Sequence, residues 1–200
     1  MVRIAIGGEL VSEVFRPGLG ERLTLRDRLR TSTSALHARL DRSMEQHLRS
    51  GDEGYGQYLL ASAAALLPLE RELEAAGVAQ VMPDWPDRAR SSALIADLEA
   101  LGLAVPEPRP VADQALLRDE AYQFGTLYVL EGSRLGARMI LRGLSGFSGP
   151  TSYLSHGHGK PLWQTFLARL EASGPAQANP EIVIAGATAA FEQFMLGDAP

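Results

Sequence analysis

Residues 128–143 read YVLEGSRLGARMILRG, an apolar helical run with glycines set into it. A glycine inside a helix costs about 1 kcal/mol relative to alanine. A helix that keeps Gly132 and Gly136, with Gly125 and Gly143 to either side, therefore implies something close against its backbone. At 100° per residue the four glycines fall within about 20° of one line. Two kinds of neighbour fill such a stripe. A second helix can pack into it, or a flat apolar ligand can lie on it, with Tyr122, Tyr128, Val129 and Met139 on its flanks as walls.

The rest of the chain shares the helical period. TLRDRLRTSTSALHARLDRSMEQHLR (24–49) sets Leu25, Leu29, Leu36, Leu40 and His47 on one face, with Thr24 as its cap. YGQYLLASAAALLPLERELEAAG (55–77) predicts a second helix, kinked at Pro68 and ended by Gly77. Further helices are expected over 87–101, 111–143, 160–173 and 179–196, the last with Asn179 as cap and Pro180 at its first position. The stretches 105–110 and 145–159 read as loops. The expectation is an all-α, single-domain helical bundle over residues 23–200, preceded by an N-terminal tail, 1–22.

Composition narrows the chemistry. A net charge of −5 argues against a nucleic-acid binder. The absence of cysteine removes disulfides, thiolate metal sites, iron–sulfur clusters and CxxCH attachment. Any metal must be held by the four histidines or by carboxylates. No stretch is long and apolar enough to span a bilayer, and the N-terminus lacks the parts of a signal peptide, so the expected location is cytoplasmic, with no membrane partner.

His37 lies on the flank of the apolar stripe of its helix, where a histidine is either a hydrogen-bonded core residue or a metal ligand. Arg30, seven residues earlier, shares its face. A neutral imidazole with a guanidinium two turns away suits an iron macrocycle bearing carboxylates at its edge. HGHGK (156–160) has two histidines and no third ligand, and reads as loop. Arg134, Arg138 and Arg142 follow at helical spacing opposite the glycines, as a solvated face or a dock for an acidic partner.

At two places together the sequence resembles the haem oxygenase family, particularly the bacterial branch found beside bacteriophytochromes. LRTSTSALHARLD is similar to its proximal helix, and LYVLEGSRLGARMI to its distal helix, where a Gly-xxx-Gly backbone lies over the haem plane. YLLASAAALLPLE, the spacing of Trp163 and Phe166, and TAAFEQF also fit, so the likeness runs over about residues 23–196. The resemblance implies a haem sandwiched between a proximal helix and a glycine-kinked distal one. His37 is then the proximal iron ligand, Gly132 and Gly136 the close-approach glycines, and Arg30 and Tyr128 contacts to haem b at its propionate edge. Ser133 stands where many members carry the aspartate that orders proton-delivering water, as it does in a bacterial subset with the same EGS run.

What this implies is oxidative opening of haem, both substrate and cofactor, to biliverdin, CO and ferrous iron with O₂. Electrons would come from a partner such as ferredoxin or a reductase, since no flavin or nicotinamide fingerprint is present. A bacteriophytochrome is the implied acceptor of biliverdin. The competing readings are a haem- or bilin-binding protein of the same fold without turnover, and the haem-free enzymes that share this helical architecture.

Overall fold

The glycine-bearing helix is the central one: most of its residues are buried, and most are small or apolar. The computed structural model describes residues 23–48, 51–144 and 147–197. Within it this helix, labelled α5, spans Glu120–Gly143 and buries 14 of its 24 residues. Asp119 starts it, its carboxylate accepting from the N–H groups of Ala121 and Tyr122. The described residues are helical or irregular, with no strand among them, in the order α1 Leu25–Ser32, α2 Ser34–Leu48, α3 Gly51–Ala75, α4 Ser91–Ala100, α5, α6 Ser152–Ser155, α7 Leu162–Ala172, α8 Gly174–Ala178 and α9 Pro180–Gly197.

Several boundaries depart from the sequence expectation. The expected helix over 24–49 is two, α1 and α2, broken at Thr33, whose buried hydroxyl bonds the Leu29 carbonyl of the preceding turn. Thr24 does cap α1, accepting from the Asp27 N–H. The helix expected at 111 begins at Glu120, after a short 3₁₀ turn over Gln114–Arg118. Gly77 follows the end of α3 with φ of +83°, the left-handed geometry that glycine reaches without strain. Pro180 opens α9 as expected, but the Asn179 side chain turns back to the Pro175 carbonyl.

The segment expected as loop over 145–159 contains α6, and a buried carboxylate explains it. Asp97 on α4 accepts from the N–H groups of Ser152 and Tyr153, so the cap comes from 55 residues away and leaves no local signal. Glu70 on α3 does the same for α4, accepting from the backbone of Arg90 and Ser91 and from the Ser91 hydroxyl. The tail expected over 1–22 lies outside the described residues.

α5 and α9 pack closely, and the reason is small residues on both. A Cβ on Gly125 would land on the Val183 carbonyl oxygen, and one on Gly186 would land on the Tyr122 carbonyl oxygen. The N-terminal part of the glycine stripe is therefore a helix-packing seam. α2 also leans on α9, as well as on α3.

Candidate functional site

Between α2 and α5 is a cavity of about 370 Å³, within the range of small-molecule sites. The later part of the glycine stripe faces it: Gly132, Ser133 and Gly136 line one side, with Tyr128 and Val129 ahead of them and Ile140 beyond. A Cβ on Gly132 would meet open cavity and the Trp163 ring at 3.8 Å, an ordinary contact. The single stripe read from the sequence thus serves both neighbours, a helix at Gly125 and a cavity at Gly132 and Gly136. Its outer members differ again, since Tyr122 is buried at the α9 seam whereas Gly143 and Met139 are exposed.

His37 lines the same cavity from α2. Its ring meets Phe191 of α9 edge-on at 5.8 Å, and its Nδ1 lies 3.3 Å from Asp41 Oδ2, one turn on. Burial lowers the imidazole's pKa, favouring the neutral ring. A proton on Nδ1, the nitrogen beside Asp41, would leave Nε2 with the available lone pair, the arrangement of a histidine prepared for a metal. Among the described residues no group of three or more acidic, histidine or cysteine side chains is placed to hold an ion. Any metal here would rely on His37 and on ligands that arrive with it.

The Asp41 carboxyl is pushed up to about 7 from 3.8, first by burial and then by Glu45. A folded-state pKa above the unfolded one means that the protonated form favours folding. That contribution is full below about pH 4 and is lost as the pH rises through about 7. The ligand-free protein is accordingly expected to lose melting temperature relative to Asp41→Asn between about pH 5 and pH 8. A difference that stays constant over that range would mean that Asp41 titrates like a solvated aspartate.

Polarity in the cavity is distributed unevenly. Arg26 and Arg30, one turn apart on α1 and both exposed, line it near Tyr128. Burial raises the Tyr128 hydroxyl's pKa and the two guanidinium groups oppose that rise, which places both within electrostatic reach of it. Elsewhere Tyr58, Ser62, Tyr153 and Ser133 present hydroxyls. Tyr58 is held as the neutral phenol by burial. Behind this group lies Arg90, 1% exposed, with its guanidinium 5.1 Å from the Tyr153 ring centre. Its Nη2 donates to Ser133 Oγ at 2.8 Å and to the Leu130 carbonyl at 2.9 Å. The remainder, with Met44, Ile140, Phe191 and Phe194, is mainly apolar. The whole suits a flat, largely apolar molecule with acidic groups at one edge.

The structure brings all six sequence candidates, Arg30, His37, Tyr128, Gly132, Ser133 and Gly136, to this one cavity. It also adds residues that the sequence reading passed over. Arg26 and Asp41 sit one helical turn from Arg30 and His37, a spacing that could have flagged them. Arg90 left no such signal, because it reaches Ser133 only through the fold. Arg134 is a correction: it belongs to neither a solvated face nor a dock. It is buried, with Nε and Nη2 donating to Glu131 at 3.0 Å and Nη1 lying 3.3 Å from His156 Nδ1. The HGHGK loop thus contributes one histidine to an arginine contact.

No protein-family model matches the chain. Among characterised proteins, a heme oxygenase of Xanthomonas campestris pv. campestris is 35% identical over 145 residues, covering 70% of this chain and 86% of that protein. Heme oxygenase PigA of Pseudomonas aeruginosa is 26% identical over 175 residues, covering 84% and 87%. Among solved structures, the NO- and CO-bound heme oxygenase of Neisseria meningitidis superposes with a TM-score of 0.69 at 23% identity, over 88% of this chain and 91% of that one. That last likeness establishes the fold.

Proposed function

The chain belongs to the haem oxygenase family, and from that premise we propose that it seats haem between α2 and α5, with His37 as the proximal ligand of the iron. The observation that carries this reading is the single cavity in which His37 and the Gly132–Gly136 backbone both take part. Bound haem supplies the iron at which O₂ is activated; the product set is biliverdin, CO and iron.

The protein's own residues supply position and hydrogen bonds. Asp41, 3.3 Å from His37 Nδ1, orients the imidazole. Phe191, edge-on to that imidazole, limits its rotation. Gly132 and Gly136 let backbone approach the opposite face of the ring, excluding bulk water without a side chain in the way. Arg26, Arg30 and Tyr128 form the docking edge for the propionates. Arg90 and Ser133, with the Tyr58 hydroxyl, order water on the oxygen-binding side, the part that an aspartate plays in many members. Electrons come from an external donor of the ferredoxin or reductase kind. Biliverdin passes to a bilin-binding acceptor, a bacteriophytochrome being the one that the sequence resemblance suggests, and the setting is the cytoplasm. No helix among the described residues is long and apolar enough to cross a membrane.

Titration of the purified protein with haem, followed by reduction in air, tests the reading. One haem per chain should bind and be replaced by the absorption of biliverdin. Haem that binds and persists unchanged would support storage over turnover, and no saturable binding would end the proposal. The docking edge has its own test. Arg30→Glu is expected to weaken haem retention about tenfold, the worth of one charge-assisted contact. Arg39→Glu, outside the cavity lining, should leave it unchanged. Equal retention in the two variants would remove Arg30 from the site.

A further inference from the structure

Behind the glycine face of α5, and outside the cavity lining, the fold buries a cluster of charges. Glu131, 1% exposed, immediately precedes Gly132. Its Oε2 accepts from Arg88 Nη1 at 2.7 Å and Arg134 Nε at 3.0 Å, and its Oε1 from Arg134 Nη2 at 3.0 Å. Arg88, whose side chain is wholly buried, spends its other bonds on different elements. Nη1 also donates to the Leu162 carbonyl at 3.0 Å, and Nη2 to Thr165 Oγ1 and Asp84 Oδ2, both at 2.8 Å. Arg134 closes the circuit by donating to the Arg88 carbonyl. One guanidinium thus joins α5 to the first turn of α7.

Between Leu162 and Thr165 lies Trp163, the ring nearest to the absent Cβ of Gly132, packed against Tyr128 at 5.7 Å and Phe166 at 5.6 Å. The separation of the Gly132 backbone from the Trp163 wall is therefore set by the bonds that Arg88 makes to each side. A buried ion cluster contributes little net stability, since well-packed apolar residues of the same volume often hold a fold as firmly. What a hydrogen-bonded cluster adds is directionality: its donors and acceptors meet in one rotation of α5 and one position of α7.

We propose that Arg88, through Glu131 and the start of α7, is a positioning residue that fixes the glycine face of α5 against Trp163, and so fixes which edge of the bound macrocycle lies beneath the reactive oxygen. Arg88 touches no substrate and acts through Gly132 and Trp163. The part concerning the macrocycle rests on the haem oxygenase reading; the part concerning α5 and Trp163 does not.

Two variants test it, because Arg88, Glu131 and Arg134 form one buried charge cluster whose members are best replaced together. Arg88→Met/Glu131→Leu/Arg134→Leu replaces the three charges by apolar residues, since removing Arg88 and Glu131 alone would leave the buried Arg134 without its carboxylate. Thr165→Val removes one exposed tie and leaves the buried cluster intact. Two quantities are read. One is the ratio of biliverdin isomers formed during reductant-driven turnover. The other is the emission of Trp163 in the haem-free protein, taken as the difference between each variant and its Trp163→Phe counterpart. The triple variant is expected to fold, bind one haem, and shift the isomer ratio about tenfold, well inside what an ångström-scale misplacement does to a positioned reaction. Its Trp163 emission should move to longer wavelength, with Thr165→Val moving both quantities the same way by less. Unchanged isomer ratio and unchanged emission in a folded triple variant overturn the proposal. Should that variant not fold, unchanged values in Thr165→Val overturn it. If the wild-type protein opens no haem, the functional reading fails while the emission measurement still decides whether Arg88 sets the Trp163 wall.

Discussion

His37→Ala is expected to abolish ring opening by physiological reductants while leaving a folded protein. The side chain is 44% exposed and its main packing contact is the edge of Phe191, so truncation forfeits about 1 kcal/mol of aromatic packing and opens no sealed core cavity. The chemical loss is of another order. No other histidine lines the cavity, and haem in the variant would be retained only by its apolar and propionate contacts. Disturbing an outer partner of a metal ligand costs about 10–100-fold, so loss of the ligand itself should exceed about 100-fold. Asp41→Asn, which keeps the ligand and alters only its partner, should fall within the smaller range. Added imidazole should restore part of the His37→Ala activity by occupying the vacated position. Wild-type turnover without imidazole would show that His37 is not the ligand.

The second large effect separates two glycines that share a face of one helix. Gly125→Ala should damage the fold. Its Cβ meets main-chain atoms of α9, carbonyl oxygen first, and backbone cannot step aside as a flexible side chain can. Overpacking of this kind costs about 3 kcal/mol or more, roughly 6–12 °C of melting temperature in a chain this size. Gly132→Ala should leave the haem-free protein as stable or more so, because the new methyl makes an ordinary contact with Trp163 and the helix gains up to about 1 kcal/mol of propensity. Its cost should be in turnover, since the methyl occupies the face on which the proposed haem site would place the substrate. Melts of the haem-free variants set beside their rates decide the matter. A Gly132→Ala protein that is destabilised but converts haem normally would mean that this glycine, too, serves packing.

That contrast also shows what a sequence discloses and what it withholds. A helical wheel gives the direction of a residue, and direction correctly grouped Gly125 with Gly132; it carries nothing about which neighbour waits there. α5, α9 and the boundary at Gly77 were readable because glycine, proline and apolar period act locally. Thr33 divides α1 from α2 through a hydroxyl bond to its own previous turn, a choice that a threonine in an amphipathic run does not advertise. Arg134 had the spacing of a surface residue. Its burial depends on Arg88, whose backbone carbonyl lies 46 residues back in the chain. α6 and Arg90 were invisible for the same reason, their partners Asp97 and Ser133 being close only in space.

The hydroxyl of Ser133 has a further consequence. Its single hydrogen is directed at the Leu130 carbonyl, and one of its lone pairs takes the Arg90 proton. What faces the cavity from this side chain is therefore an acceptor alone. A water molecule resting against it has to donate, which turns the oxygen lone pairs of that water away from Ser133 and leaves its second hydrogen available to the substrate side. In the proposed site Ser133 would give the hydrogen-bond chain a sense of direction, as a rectifier does a current, and would do so without titrating. The pH dependence of oxygen activation should then follow groups other than residue 133, in contrast to an enzyme whose chain begins at a carboxylate.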